Sequence, residues 1–332
     1  MHSSLEGHPA LNVRTVQRQL ASLLPEARPA GTGESTLEIA GQGMDAPRLI
    51  SATVLEQGPF RAHRVLDPAV DGFRAFLDGT QRSEVANYLN GAPIVLGHAA
   101  AVVRERRNRR MHTWGVPLVE TRMYCARSMT APAAWATLRA TYGKTLVDTS
   151  DGDAELNAHP YALRDAAVHR VQAHRESLEH QLAERWCARE RDPLFIDGAI
   201  SGSVAVAESA CTVGVVKSHR TLYVEGEALD AVRQLGHRER SSVFRVTSPR
   251  RTTVASWYLR LRDPSGRDPM WGLVRVEIAH PGAESMARLA HRADEVSRWI
   301  LAEASPLALP DARWDKMVYG VRDCEEYLRA IQ

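Results

Sequence analysis

Apolar positions along the chain change spacing from segment to segment, and the changes mark its elements. Over residues 10–25, Leu11, Val13, Val16, Leu20 and Leu23 fall near helical spacing, which predicts an amphipathic helix. "PEARPAGTGEST" reads as a loop. From Leu37 to Val65 the pattern is short and strand-like, in "LEIAG", "LISATVL" and "FRAHRV". "DPAVDGF" is punctuation, and "FRAFLDG" reads as a strand ending at Asp78. "APIVLGHAAAVVRERR" is a further strand or apolar segment that runs into basic residues. Residues 130–142 suggest a helix around Trp135 and Leu138, and "DTSDGDAELNAHP" a polar loop. Residues 161–190 give the clearest helix: Val171, Leu178, Leu182 and Trp186 form one stripe, with no Gly or Pro inside it.

After that helix come "PLFIDGAI", "CTVGVVKSHRTLYVEG", "SSVFRVTS", "TTVASWYLRLRD" and "MWGLVRVEIAHP", β-type runs separated by turn signals. Two helices, Ala283 to Glu303 and Asp311 to Ile331, follow. Strands, a long helix, strands and then helices predict an α/β or α+β sheet flanked by helices, and neither a repeat array nor a coiled coil. Residues 1–70 are set apart as a helix with strand-like segments, a candidate partner or dimer contact, from a main domain over 71–332.

Composition narrows this picture. With 332 residues, 44% hydrophobic and 25% charged, the chain has the make-up of a soluble globular protein with a sizeable core. No apolar run reaches the ~18 residues of a membrane span, and the first twenty residues lack a signal-peptide pattern. Four cysteines stand singly, without a C-x-x-C pair, so neither a zinc site nor a disulfide framework is indicated. A reducing, cytoplasmic setting is the expectation. The net charge of +2 decides nothing about nucleic acid. Its kind says more: lysine occurs only at Lys144, Lys217 and Lys316, and the rest of the basic residues are arginine, which suits bidentate phosphate contacts. GC-rich coding accounts for this equally well. The local clusters "RERRNRR" and "SPRRTT" add Arg107 and Arg110 as candidate DNA contacts, although a charge run is usually a solvated face.

The candidate chemistry is acidic. Asp71, Asp78, Asp151 and Asp197 each precede glycine, a pairing that favours tight turns. Asp71 and Asp151 sit in polar surroundings and read as turns only. Asp78 and Asp197 each end an apolar strand, "FRAFL" and "PLFI". A carboxylate there is rigid and partly desolvated, which is costly unless it is paired or binds a metal. Two hairpin turns with no shared site is the competing reading. From the long helix, at ~100° per residue, Glu179 lies at the edge of the apolar stripe, Glu176 further round and Glu184 pointing away. Glu179 is the acid best aimed at the sheet, or a boundary residue paired with Arg175. Hard oxygen ligands of this kind suit Mg²⁺ or Mn²⁺, which can activate water against a phosphodiester.

Basic and aromatic residues accompany these acids. Lys217 ends the strand "VGVV", where it either snorkels to solvent or balances the carboxylates. Tyr258 and Arg260 share one face of a strand, and Arg275 and Glu277 one face of another. Tyr258, Trp257 and Trp271 are candidates to stack on unpaired bases, against the commoner reading as core. His291 and Asp294, three apart, share a helical face and can coordinate a metal or position water. "TYGKT" lacks the earlier glycine of a phosphate-binding loop, so ATP is not expected to bind.

In their order, "FLDGTQRS", "RESLEHQLAERW", "LFIDGAI", "VGVVKSH", "SWYLRL" through "WGLVRVEI" and "ALPDARWDKMVYGVRDCEEYLR" resemble the NurA nuclease family from Phe76 to Arg329. The resemblance implies a ribonuclease-H-like mixed sheet flanked by helices. It also implies a manganese-dependent DNA nuclease, with 5′-to-3′ exonuclease and single-strand endonuclease activity. A homodimer docked on a HerA-type hexameric ATPase, acting in DNA end resection for double-strand-break repair by homologous recombination, is implied with it. Carried over, the acids are Asp78, Asp197 and Glu179, with Glu176 as the alternative. Lys217 matches the strand lysine, and the late group falls on Asp294 or His291. Asp78, Glu179, Asp197, Lys217 and His291 are then the catalytic candidates. Asp78, Glu179, Asp197 and Asp294 are the metal candidates, and Arg260, Arg275, Tyr258, Arg107 and Arg110 the DNA contacts. "LDGTQ" departs from the family's more usual form, and Asp71-Gly72 competes from upstream. A non-catalytic DNA-end-binding adaptor of the ATPase is the alternative function.

Overall fold

The computed structural model of this chain describes residues 11–29, 36–37, 46–66, 69–150, 158–249, 251–280, 282–304 and 318–331. Its helices are α1 (Val13–Leu23), α2 (Pro132–Tyr142), α3 (Pro160–Arg189), α4 (Val204–Ala207), α5 (Gly226–Arg233), α6 (Leu289–Ala304) and α7 (Tyr319–Ile331). The early strands are β1 (Ala27–Pro29), β2 (Thr36–Leu37), β3 (Arg48–Leu49), β4 (Ala62–Arg64), β5 (Ala75–Leu89), β6 (Ala92–Arg107), β7 (Arg110–Cys125) and β8 (Leu146–Asp148). The later ones are β9 (Leu194–Asp197), β10 (Thr212–Val216), β11 (Thr221–Leu222), β12 (Glu239–Ser241), β13 (Phe244–Val246), β14 (Val254–Arg260) and β15 (Leu273–Ala279). The α/β reading holds, with a mixed sheet and helices packed on it.

One expectation fails at the outset. The strand that should end at Asp78 runs on through Gly79 to Leu89, so this Asp-Gly pair does not turn. The reversal falls at Asn90 and Gly91, both at positive φ, 50° and 85°, the conformation that a two-residue hairpin requires. Asn108 and Arg109, at 51° and 62°, reverse the chain again between β6 and β7. The "RERRNRR" cluster is therefore a hairpin tip. "LISATVL" yields only the end of the short β3, and "TLYVEG" only the two-residue β11 before the chain enters α5. The polar loop at 151–157, the start of the last helix and most of "LEIAG" lie outside the described residues.

The chain divides into two compact units: Met1–Met44, Gly79–Ala100 and Leu118–Leu178 form the first; Asp45–Asp78, Ala101–Pro117 and Glu179–Gln332 the second. Because β5, β6, β7 and α3 pass through both, no single cut at residue 70 separates them. In the first unit the period of two along its strands decides the layers. Ala86, Ile94, Leu96, Met123 and Cys125 bury against Val16 and Leu20 of α1 and Trp135 and Leu138 of α2. Their neighbours Val85, Val95 and Tyr124 bury against Ala167 and Val171 of α3. Asn12 caps α1 by accepting the Thr15 N–H at 3.0 Å. At Gly97 a Cβ would lie 2.4 Å from Val171, so glycine allows α3 to approach β6 closely.

The second unit holds the parallel strands β5, β9 and β10, followed by antiparallel β15, β14, β12 and β4. Leu77 lies opposite Ile196, Asp197 opposite Val215, and Val215 opposite Val276, which in turn faces Trp257. The alternate rungs pair Gly214 with Glu277 and Tyr258 with Arg275. The sheet thus has an Asp197–Trp257 face and an Arg275–Glu277 face. On the first, the Trp257 indole donates to Ser297 Oγ of α6 at 3.0 Å, and Gly320 of α7 lies so close to Phe76 that a Cβ would overlap its ring. The cysteines, single in sequence, are not all apart in space: the thiols of Cys187 and Cys211 share a hydrogen bond that holds the Cys211 thiol down at about 6.

Candidate functional site

Parallel register brings the two strand acids together. One rung beyond Leu77 and Ile196 come Asp78 and Asp197, leaving neighbouring strands on the same side of the sheet. Strands in register lie ~4.8 Å apart, close enough for two carboxylates to repel. After Asp197 the chain bends sharply at Gly198, whose φ of 146° favours glycine, and its N–H donates to Val215 O at 3.1 Å. The bend rests on bare backbone, since a Cβ at Gly214 would sit 2.7 Å from Gly198 O. Of the two Asp-Gly pairs, only this one makes a turn.

Burial and neighbours set the charge of the pair. Asp78 is 5% exposed. Burial holds its carboxyl well above the usual carboxylate range, and Asp197 pushes it further. Lys217 opposes that rise, while Glu179 and Glu325 add to it. Lys217, just past the end of β10, places its Nζ 2.7 Å from Asp197 Oδ2. Val215 and Lys217 stand on the face of Asp197, so the strand's period of two delivers this ion pair.

Of the three glutamates expected to compete on α3, Glu179 is the buried one at 7% exposure, and it acts on Asp78. The side chain of Glu176 is 40% exposed beside Arg175, and Glu184 accepts from Ser203 Oγ at 2.5 Å. Glu325 was missed. It sits on α7 at 7% exposure, in the same stripe as Val321 and Leu328, where an acid inside an apolar repeat was the available signal. Asp71 is exposed and plays no part in this packing.

Other candidates lie elsewhere. Asp294 accepts from Arg240 Nε at 2.5 Å, and the same guanidinium reaches Glu56 Oε1 at 3.0 Å, with His63 Nε2 3.2 Å from Glu56. That network, buried at Arg240 and Glu56, engages Asp294, whose side chain is 46% exposed. His291 is exposed on α6, where it lines a cavity with Arg288 and Arg292.

Two expected DNA contacts are interior. Arg260 is wholly buried and donates to the carbonyls of Leu235 at 3.0 Å and Pro269 at 2.9 Å, and to Trp271. Burial lowers its pKa to about 10. Tyr258 is also buried, its hydroxyl accepting the Tyr223 N–H at 2.9 Å. Neither can meet nucleic acid without unfolding the sheet. Arg275 pairs with Glu277 at 2.5 Å under the Tyr223 ring. Arg107 is 58% exposed and paired with Glu105 at 2.7 Å, and Arg110 is exposed at the hairpin tip, so these two remain on the surface.

The hard carboxylates Asp78, Asp197 and Glu179 fit a divalent cation by donor chemistry, and a cation would offset the burial and the neighbouring acids that raise the Asp78 carboxyl. Among the described residues, no group of three or more His, Cys, Asp or Glu side chains is drawn tightly enough to hold an ion. No helix among the described residues is long and apolar enough to cross a membrane.

No protein-family model and no curated protein matches the chain. Among solved structures, the crystal structure of the NurA nuclease from Sulfolobus solfataricus is similar, at 11% identity and a TM-score of 0.40, over 71% of this chain and 76% of that one. At that identity and TM-score the likeness carries no functional weight.

Proposed function

We propose that the Asp78–Asp197 pair is the centre of a metal-dependent deoxyribonuclease. The observation that carries this reading is two carboxylates abreast on adjacent parallel strands, with Lys217 on Asp197 and Glu179 acting on Asp78.

Asp78, Asp197 and Glu179 would hold Mn²⁺ or Mg²⁺. When bound, the ion supplies an activated water and charge at the leaving oxygen of a phosphodiester. Asp78 and Asp197, fixed by the sheet, would hold that ion in one place. Lys217, on a flexible stem beside Asp197, exchanges that carboxylate for a phosphate oxygen when substrate arrives. Arg107 and Arg110 at the hairpin tip extend the contact to the strand backbone.

Further features rest on the resemblance of the ordered segments alone: 5′-to-3′ exonuclease and single-strand endonuclease activity, a homodimer, a HerA-type hexameric ATPase, a cytoplasmic setting, and end resection in double-strand-break repair. The test is digestion of single-stranded DNA with Mn²⁺, comparing the wild type with Asp78→Asn and Asp197→Asn. Equal rates in all three would sink the proposal. One observation favours the adaptor reading, namely that Lys217 already neutralises Asp197. A protein that binds DNA ends but shows no Mn²⁺ heat by calorimetry would establish the adaptor instead.

A further inference from the structure

At the other end of the second unit's sheet lies a cavity of about 420 Å³, of the size that takes a small molecule. Arg288, His291, Arg292 and Glu295 reach it from the start of α6, and His280 from the end of β15. Ile278 and Leu289 supply an apolar wall. Ala210, just before β10, closes one side. Asp197 and Lys217 stand at the far end of β9 and β10, about five residues or ~16 Å along the strand, so the cavity is separate from the acid cluster.

Charge at this place is arranged against the helix. The N-terminal end of α6 carries the positive end of the helix dipole, where acidic side chains are stabilising. Here the first turn has no acidic residue, and Arg288, His291 and Arg292 gather instead. Arg288 and Arg292 are four apart, a spacing at which like charges repel. Arg292 is held by Glu295 at 2.6 Å, donates to Ala210 O at 3.4 Å and lies 4.7 Å over the Trp299 ring. An anion in the cavity would meet Arg288 and the positive end of the helix first, with Arg292 beside them.

We infer that this cavity is a binding site for a phosphate monoester of the nucleotide type. Arg288 and Arg292 take the phosphate oxygens, with His291 and His280 as further donors. Ile278 and Leu289 face the apolar part of the ligand. The phosphate comes either from a free mononucleotide or from the phosphorylated end of a strand. The site stands whether or not the acid cluster cuts DNA.

Calorimetric titration of the full chain with deoxythymidine monophosphate, and with inorganic phosphate as competitor, tests it. Wild type shows saturable binding that phosphate competes away. The exposed Arg288→Ala weakens it about tenfold or more, the loss of one charge-assisted contact. Arg292→Lys, which keeps the charge but loses the fork, weakens it less, and Asp197→Asn leaves it unchanged. A 5′-phosphorylated oligonucleotide that binds more tightly than its 5′-hydroxyl twin, with the difference lost in Arg288→Ala, identifies the strand end as the source. Equal binding of the two oligonucleotides, with the mononucleotide still bound, identifies the free nucleotide. No saturable binding by the wild type, or wild-type affinity in Arg288→Ala, overturns the site.

Discussion

The two faces of the sheet in the second unit both bury charge, and they treat it in opposite ways. On one, Arg275 pairs with Glu277, whose other oxygen accepts the Ile200 N–H at 2.9 Å, and Arg260 spends its donors on backbone carbonyls. Each of these groups has a partner that fits it. On the other, Asp197, Glu179 and Glu325 all raise the carboxyl of Asp78, with Lys217 beside Asp197 and Arg329 3.3 Å from Glu325. Burial of charge does not by itself mark a functional site, since both faces have it. Crowding of acids on one carboxyl separates the unbalanced face from the balanced one.

The sharpest way to break this contrast is to damage the balanced face. Arg260→Ala leaves several carbonyls without a donor and should cost about 3–5 kcal/mol, the range for breaking a buried charged contact. Urea unfolding measures the loss, while Mn²⁺-dependent cleavage per folded molecule stays at the wild-type level. A loss under about 1 kcal/mol would mean that the guanidinium does not hold these loops.

Damage to the unbalanced face should do the reverse. Asp197→Asn is expected to lower cleavage of single-stranded DNA at least about a hundredfold, as befits a residue that would hold the metal; its urea midpoint should change less than that of Lys217→Met, because loss of the ion pair is offset by relief of Asp78. Lys217→Met should lower cleavage about tenfold, because one charged contact to phosphate is lost. It should also destabilise the protein at neutral pH by leaving Asp197 without its partner.

The smallest effect is the most specific. Asp78 has a folded-state pKa above its unfolded value of ~3.9, so the native state binds its proton more tightly. The stability this gives is present at low pH and lost as pH rises from about 4 through the folded-state pKa. Asp78→Asn should therefore gain relative to wild type across that interval, as read from melting temperatures against pH. Mn²⁺ should raise the wild-type melting temperature and leave that of Asp78→Asn nearly fixed. A flat difference between the two proteins, with and without the ion, would show that Asp78 is not strained by its neighbours.

Much of this was readable in the chain. The stripe Val171, Leu178, Leu182 and Trp186 placed α3 to within a residue at each end, and helical geometry selected Glu179 from its neighbours. The apolar runs before Asp78 and Asp197 marked buried strands, but not their order. That they are adjacent and parallel depends on pairings between residues more than a hundred positions apart, which local periodicity does not encode. Alternation put Tyr258, Arg260, Arg275 and Glu277 on common faces, yet it could not tell a solvent face from an interior one. The fully buried β14 and β15 read the same either way. The composition of Asp78-Gly79 favours a turn and so ends the strand at Asp78 on paper; a strand that continues into a hairpin at Asn90-Gly91 overrides the preference. Glu325 escaped notice because its helix reads as a surface helix until its packing partner is known.

Gly214 has a consequence beyond fit. The carbonyl of Gly198 lies in the space where a side chain at 214 would stand, so the turn that follows Asp197 can close only over bare backbone on the next strand. A residue that carries no charge and faces away from the acids is thus a condition for the chain to leave the sheet where it does. One methyl group at that position would press on the Gly198 carbonyl and oblige the turn to move.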